Sequence, residues 1–254
     1  MSEHRIAVLD HGFVELRNLS GPTRRTWTDG YPSNGEVMEG DVRSFDADDV
    51  DPANAARMSF DQMDSNRTRE QDLKLCEYLM KNWHNSPFEM IVVWLEMKLP
   101  IFVARQFVRH RTVSINEVSG RYIKLPAEWY IPQHVGGKPV NAKQGQTDNL
   151  SNELQKDFKF MLDAACRDSY KSYEWALEHG VAAEHARMFL HLNHYTHWLW
   201  KQDLHNLMHF LRLRDHSHAQ VEARTFAKAV DVLLRAQLPN TMSLYDKYRR
   251  LEQE

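Results

Sequence analysis

The order of apolar and polar residues predicts strands near the N-terminus and in two later segments. The stretch RIAVLDHGFVEL, residues 5–16, is typical of two short strands that meet at a turn between Asp10 and Gly12. FEMIVVWLEMKL, residues 88–99, is rich in β-branched and aromatic residues and predicts a longer strand. NHYTHWLW, residues 193–200, is compatible with a strand, although its period is ambiguous.

Helical spacing of apolar residues predicts six helices. They cover residues 70–82, residues 101–110 after Pro100, a long stretch marked by Leu154, Phe158, Leu162 and Ala165 that ends near Gly180, residues 182–190, the segment from Asp203 onward, and a stretch around residues 226–234. Together with the strands, these helices predict an α+β fold, a single domain with a mixed or antiparallel sheet packed against several long helices.

Two segments rich in turn-forming residues interrupt this pattern. Residues 21–52 contain several prolines and glycines and the acidic run DADDVD. We interpret this segment as a surface insertion rather than a linker between domains, because only about twenty residues precede it. Residues 133–150 form a second predicted loop. The whole chain, residues 1–254, is therefore expected to be one domain that carries an insertion at about 21–52.

The composition is typical of a soluble globular protein, with 42% hydrophobic and 26% charged residues. The formal net charge of −3 creates no bulk field that attracts nucleic acid or an anionic membrane, so a polyanionic ligand requires a local cluster of cations. The apolar runs are too short to span a membrane, and the N-terminus lacks the long apolar segment of a secretory signal. We therefore expect a cytoplasmic protein that binds neither nucleic acid nor membrane.

The segment RHRTVSINEVSGRY, residues 109–122, concentrates anion-binding side chains in this nearly neutral chain. If the preceding helix continues through them, Arg109, His110 and Arg111 point in directions about 100° apart. That arrangement suits a ligand or a subunit interface at the helix end better than one solvated face. For Arg105, earlier on the same helix, a solvated polar face is the simpler interpretation.

Beyond Ser114 we expect an extended chain. Glu117, Ser119 and Arg121 would then project to one side, and Gly120 would permit close approach of the backbone. A carboxylate, a hydroxyl and a guanidinium in line can hold a polar ring and a phosphate together. The alternative is a ladder of surface salt bridges.

This segment and others resemble the flavin-dependent thymidylate synthases. In that family, RHR is followed by seven residues and a serine, which is the spacing of residues 109–111 and Ser119. Six blocks resemble family blocks in the family's order: VLDHGFVEL, AARMSF, HNSPFE, PIFVARQFVRHR, SINEVSGRY and LHNLMHFLRLRDHSHAQ. The likeness covers most of the chain, apart from residues 21–52 and 133–150.

The resemblance implies an activity and an assembly. The expected reaction transfers a methylene from methylenetetrahydrofolate to dUMP and reduces it through FAD and NADPH, which gives dTMP and tetrahydrofolate. The expected assembly is a homotetramer whose flavin and nucleotide sites combine several chains. No metal is implied.

The resemblance also implies roles for individual residues. Nucleotide-binding positions correspond to Gln106, Arg109, Glu117, Ser119, Gly120, Arg121, Arg187 and Arg214. Positions that contact FAD correspond to His84, Ser86, Glu89, Arg109, His110, Arg111, Glu117, Asp203, His205 and His209. Other members often carry asparagine or arginine at the last three of these positions, and Met90 stands where many relatives carry histidine.

The chemistry requires that C5 of uracil become nucleophilic. A thiolate that adds to C6 is one route. However, Cys76 and Cys166 have apolar neighbours on predicted helices and are interpreted as small core residues. The other route polarises the ring, and Arg214 suits it because a guanidinium stays protonated and can stabilise negative charge on the ring. The alternative for Arg214 is an ion pair with a carboxylate such as Asp203. Ser119 is assigned to substrate binding.

Two other function classes remain open. His191, His194 and His197 have HxxHxxH spacing, and His205 and His209 are four residues apart, which would suit a metal-dependent hydrolase. The RHR triplet with Trp198 and Trp200 would suit a nucleic-acid-binding module that stacks bases. The lack of HExxH and of a basic stripe disfavours both.

Overall fold

A computed structural model describes residues 4–22, 47–61, 67–139, 145–147 and 150–251. Its strands are β1 (Arg5–Val8), β2 (Gly12–Ser20), β3 (Val92–Pro100), β4 (Val113–Glu117) and β5 (Tyr195–Asp203). Its helices are α1 (Asp51–Arg57), α2 (Arg69–Lys81), α3 (Ser86–Glu89), α4 (Ile101–Phe107), α5 (Asn152–Glu178), α6 (Ala183–Ala186), α7 (Leu204–Arg214), α8 (Val221–Gln237) and α9 (Pro239–Tyr248), and 3₁₀ turns cover Met58–Phe60 and Arg187–Phe189. The predicted α+β fold is confirmed.

The described strands form one sheet in the order β1-β2-β3-β5-β4, and every neighbouring pair is antiparallel. Because side chains alternate along a strand, the central strand β3 divides its residues between two faces. Val93, Leu95, Met97 and Leu99 are fully buried against helices. Trp94, Glu96 and Lys98 are half-buried on the outer face.

The predictions for the sheet are confirmed with one shift. The two N-terminal strands meet at residues 9–11, and residues 195–203 form a strand. Strand β3, however, begins at Val92 rather than at residue 88. Pro87 lies in the first turn of α3, and Ile91 N–H donates to the carbonyl of Phe88, so the chain is helical before it extends.

The six predicted helices are also present, and two of them differ in extent. The helix at residues 101–110 ends at Phe107, and the segment at 182–190 divides into α6 and a 3₁₀ turn. Helices α1, α3 and α9 are not among the predictions. Most of the predicted insertion, residues 23–46, lies outside the described residues, and Asp51 already begins α1.

Aromatic rings join the sheet to three helices. Phe107 on α4 meets Phe210 on α7 at a centroid distance of 4.8 Å, edge to face, and meets Phe226 on α8 at 6.5 Å. Trp200 on β5 lies 5.6 Å from Phe210. All four rings are fully buried. This aromatic junction fixes the end of α4 against α7, and the RHR triplet follows directly.

No helix in the described part of the chain combines the length and the apolar character that a membrane-spanning helix needs.

On helix α8, buried and exposed residues are expected to contribute differently to the free energy of unfolding. Its inward stripe contains Phe226 and Val230, both fully buried, while Val232 is 56% exposed. Two valines on one helix therefore differ mainly in how much water they exclude. Complete burial of a valine side chain stabilises a fold by about 1.5–3 kcal/mol.

We expect Val230→Ala to lower the free energy of unfolding by about 2 kcal/mol, because it removes two buried methyl groups and leaves a cavity. Val232→Ala on the same helix is the matched control and should change it by less than about 0.5 kcal/mol. Urea unfolding monitored by circular dichroism measures both. Equal losses in the two variants would contradict this account of the core.

Candidate active site

Arg214, the last residue of α7, reaches back to the end of α4. Its Nε donates a hydrogen bond to His110 Nε2 at 3.1 Å, and its Nη2 donates to the carbonyl of Gln106 at 3.0 Å. Burial lowers its pKa, and the nearby Arg109 lowers it further. Arg214 has no carboxylate partner among the described residues.

The alternative that Arg214 pairs with Asp203 does not agree with the geometry. Asp203 is the N-cap of α7 and accepts a hydrogen bond from the backbone N–H of Asn206. Arg214 is at the other end of this helix, roughly 16 Å away at 1.5 Å per residue. The two residues therefore occupy separate parts of the site.

His110 is buried beside Phe210, with ring centroids 5.0 Å apart. Burial lowers its pKa to about 4, and the charges of Arg214 and His209 contribute in the same direction. The ring is therefore neutral near pH 7. Because Nε2 accepts from Arg214, the ring proton is assigned to Nδ1.

The RHR triplet is divided by the end of α4. The helix stops at Phe107, and the backbone N–H of His110 donates to the carbonyl of Phe107. Arg109 and Arg111 are exposed, whereas His110 points inward. The expectation of three directions along a continuing helix is therefore wrong, but the triplet does present two exposed guanidinium groups on either side of a buried ring, neither with a carboxylate partner among the described residues.

Gln106 lies next to this group of residues. Its Nε2 donates to Gln220 Oε1, which ties α4 to the start of α8. The sequence provided no signal for Gln220, since the pairing depends on residues far apart in the chain.

The extended chain ends sooner than predicted. Strand β4 stops at Glu117, whose carboxylate accepts a hydrogen bond from Thr196 Oγ1 on β5. The backbone then turns, because Tyr122 N–H donates to the carbonyl of Ser119, and Ser119 Oγ accepts from Arg121 N–H. The prediction that residues 117, 119 and 121 alternate along one strand is therefore wrong.

The turn nevertheless brings the predicted nucleotide residues together. A Cβ on Gly120 would lie 3.5 Å from Arg187 Cδ and 3.0 Å from Leu125 Cδ1, so glycine permits the close packing of Arg187 on the turn. Arg121 forms an exposed ion pair with Glu184 at 3.2 Å. Ser119, Gly120, Arg121 and Arg187 thus form one group.

The remaining predicted flavin residues lie where α3 packs on α7. His84, Ser86 and Glu89 are exposed along α3 and the residue pair before it. His205 faces them from α7: burial lowers its pKa, Glu89 opposes this shift, and Arg249 reinforces it. His209 is one turn further along α7 and lies 6.3 Å from the His110 ring.

The cysteines are buried, as expected. Burial raises the pKa of Cys76 to about 12, and its thiol donates to the carbonyl of Asp49. Burial also raises the pKa of Cys166, which lies against Asn193. Neither thiol is available as a thiolate at neutral pH.

The two alternative function classes lose their key groups. Trp198 and Trp200 are 2% and 0% exposed, so they cannot stack on bases. A metal hydrolase needs several ligands together, and the described part of the chain brings no three His, Cys, Asp or Glu side chains into a metal-binding cluster. His194 is buried against Tyr170, while His197 binds Glu96 on the outer face of the sheet.

That outer face carries a cavity of about 600 Å³, lined mainly by Arg17, Trp94, Glu96 and His197. None of the predicted site residues lines it. The predicted residues instead fall into three groups: the Arg214 group, the 119–121 turn with Arg187, and the α3–α7 face, whose His209 lies 6.3 Å from the His110 ring of the Arg214 group.

The low pKa of His110 predicts an acid-dependent loss of stability. Between pH 6.5 and about 4, the unfolded chain binds a proton at this histidine that the folded chain does not bind, so the free energy of unfolding falls as the pH decreases through this window. In His110→Gln, which retains an acceptor for Arg214, this contribution is lost. The slope should therefore be shallower, although His194, whose pKa is also about 4, maintains part of it.

Urea unfolding at pH values on both sides of the window measures this slope. An identical pH dependence in the wild-type chain and in His110→Gln would show that His110 titrates normally in the folded protein.

Comparison with known proteins agrees with the resemblance. The family model described as "Thymidylate synthase complementing protein" matches residues 42–240. A curated protein from Ehrlichia ruminantium (strain Gardel) named "Flavin-dependent thymidylate synthase" is 41% identical over 225 residues, which cover 86% of this chain and 74% of the relative. A protein of the same name from Thermus thermophilus is 41% identical, covering 96% of this chain and 78% of the relative.

A solved structure shows the same fold. The UMP/dUMP methylase PolB from Streptomyces cacaoi, bound with 5-Br dUMP, is similar with a TM-score of 0.77 and 26% identity over 97% of this chain and 99% of the methylase. The residues that the family model matches include the RHR segment and Arg214. The chain belongs to the thymidylate synthase complementing protein family, the family of the flavin-dependent thymidylate synthases.

Proposed function

We propose that the protein is a flavin-dependent thymidylate synthase that methylates dUMP to dTMP. Methylenetetrahydrofolate donates the carbon, and NADPH reduces the flavin. The curated relatives bear the name of this activity, and the methylase from Streptomyces cacaoi was solved with a dUMP analogue. A cytoplasmic location is part of this proposal.

The observation that carries the proposal is the state of Arg214. A guanidinium has five N–H donors, and hydrogen bonds to His110 and Gln106 use two of them, so three are left. The group is half-buried, and no carboxylate among the described residues neutralises it. A positioned, unpaired and partly desolvated cation stabilises negative charge that develops nearby.

The distribution of charge supports an anionic ligand at the same place. Most guanidinium groups elsewhere in the described chain pair with carboxylates, as Arg57 does with Asp72 and Arg235 does with Asp231. At the predicted site, Arg109, Arg111, Arg187 and Arg214 have no such partner among the described residues. Phosphate groups of a nucleotide and of a dinucleotide can supply the missing negative charge.

The residues present fit FAD. The neutral ring of His110 and the exposed Arg109 and Arg111 can hold phosphate oxygens without a glycine-rich loop. His84 and Ser86 add donors on the neighbouring face of α3. FAD would supply the redox chemistry of the reaction when bound there.

The chain's own residues prepare the nucleotide. Arg214 donates toward the uracil ring and favours the ring with ionised N3, which carries more electron density at C5. His110, kept neutral by burial, holds the guanidinium in place rather than competing with it as a second cation. Ser119, Arg121 and Arg187 bind the rest of dUMP. The thiols take no part, because both are buried and protonated.

Removal of the guanidinium tests this assignment. We expect Arg214→Ala to reduce the turnover of dUMP by at least about 10²–10³-fold, because one preorganised donor set is lost, while FAD still binds. Arg214→Lys keeps a cation but not the planar fork, so its turnover should lie between that of the wild type and that of Arg214→Ala. The rate of anaerobic dTMP formation from dUMP, methylenetetrahydrofolate, FAD and NADPH measures the turnover of each variant.

Cys76→Ala and Cys166→Ala are the controls for the thiol route and should retain turnover. Flavin absorbance of each purified variant shows whether the fold and the cofactor site persist. The mechanism would be refuted if Arg214→Ala turned over dUMP as fast as the wild type. It would also be refuted if either cysteine variant lost turnover.

We also propose that the active assembly is a homotetramer. The apolar stripe at the start of α5 supports it: Leu154 is 51% exposed and Phe158 is 44% exposed, and Met161 continues the stripe at the surface. In α5, burial within the single chain begins at Cys166. A second copy could cover this stripe and bring separated site groups together.

Sedimentation velocity of the purified protein should give a mass about four times 29.9 kDa. Phe158→Asp places a charge in the stripe and should shift the protein toward smaller species and reduce turnover together. Lys156→Asp, two residues earlier on α5, is the control. A monomer with full activity would contradict the assembly.

A further inference from the structure

Two guanidinium groups share one indole ring beside the α3–α7 face. Arg249, which follows α9, lies with its Cζ 3.8 Å from the centroid of the Trp83 ring, and Arg212 on α7 lies 5.8 Å from the same centroid. Trp83 is 51% exposed and Arg212 is half-buried, so solvent and ligands can reach these two side chains.

Arg249 is only partly satisfied although it is 6% exposed. Its Nε donates to the carbonyl of Met80 at 3.0 Å, and its Nη1 donates to Asn85 Oδ1 at 3.0 Å. Its buried Nη2 has no hydrogen-bond partner in the described chain. A buried N–H group without a partner is costly, which indicates that a further acceptor belongs here.

No carboxylate among the described residues pairs with either guanidinium. The pKa of Arg249 is lowered, first by burial and then by Arg212, which is the sign of two cations held close together. Glu89 is the nearest acidic influence on His205, the next titratable group on this side of α7, yet it forms no ion pair with Arg212 or Arg249. The group therefore combines like charges without a counter-charge.

The same face of α7 continues into the predicted flavin face. His205, His209 and Arg212 follow one another at i, i+4 and i+7, so they lie along one side of the helix. Asn85, which Arg249 holds, is flanked by His84 and Ser86. The backbone supports this arrangement at a cost, because Trp83 has φ +59°, a conformation that favours glycine.

We propose that Trp83, Arg212 and Arg249 form a binding site for a phosphoryl group. A phosphoryl group supplies the counter-charge that the two guanidinium groups lack, and its oxygens are acceptors for guanidinium N–H groups. A flavin dinucleotide bound along α3 and α7 is one source of the group, and this source rests on the proposed function. Free inorganic or nucleotide phosphate is the other source.

Calorimetric titration of the full chain with inorganic pyrophosphate tests the site. Arg212→Gln is the informative variant, because Arg212 forms no hydrogen bond within the described chain, and its loss should weaken binding roughly tenfold or more. Arg167→Gln, which removes an equal charge from the exposed face of α5, should bind like the wild type. Arg249→Lys keeps the charge but loses Nη2 and should also weaken binding, with thermal unfolding as the check on its fold.

A flavin series distinguishes the sources. If the dinucleotide supplies the phosphoryl group, Arg212→Gln should weaken FAD or FMN while riboflavin, which has no phosphate, binds unchanged. If free phosphate is the ligand, Arg212→Gln should weaken pyrophosphate alone. Binding of pyrophosphate, FMN and FAD to Arg212→Gln with wild-type affinity would overturn the site.

The titrations are independent of catalysis. Weakened pyrophosphate binding in a protein that never forms dTMP would leave this site in place and refute the proposed function. If the protein forms dTMP at the full rate but Arg212→Gln binds phosphoryl groups like the wild type, the proposed function would stand and this site would be refuted.

Discussion

The hydrogen bond between Arg214 and His110 joins the end of α7 to the RHR segment. It requires a neutral imidazole, because a protonated ring would have no acceptor for the guanidinium. The aromatic junction meets this requirement: Phe210 buries His110, and burial lowers the pKa of the ring to about 4. The buried junction between α4 and α7 thus sets the protonation state of one residue and, through it, the direction of another. The packing of buried aromatic rings therefore determines how the Arg214 guanidinium is oriented.

Unpaired cations are the second property of this site. A carboxylate that pairs with an arginine neutralises most of the arginine's positive charge. Arg214 and Arg249 are partly desolvated and have no carboxylate partner among the described residues. Such groups lower the stability of the chain by itself, since each has a lowered pKa in the folded state. An anion that binds these groups would offset the cost. Stability and ligand binding are therefore linked at the same residues.

The sequence predicts the parts that depend on local periodicity. Helices α2, α5, α7 and α8 follow from the spacing of apolar residues, and α2 also begins with a capping box at Thr68. Helix α9 was missed because its stability is long-range: Asp49 accepts hydrogen bonds from its first N–H groups. The turn after Glu117 was missed for a local reason, since an alternating pattern does not reveal that the Ser119 hydroxyl and carbonyl capture the following N–H groups. The Arg249 site depends on α9 and could not be found without it.

The exposed stripe of α5 is a feature whose packing partner the sequence does not specify. Its period predicts an amphipathic helix correctly, but the period does not specify what the apolar face packs against. In the second half of the helix, Tyr170 and Tyr173 find partners within the chain. In the first half, Leu154 and Phe158 stay 51% and 44% exposed in the described part of the chain, although their spacing is equally regular. A stripe that is regular along its whole length and buried along only part of it is most simply completed by another copy.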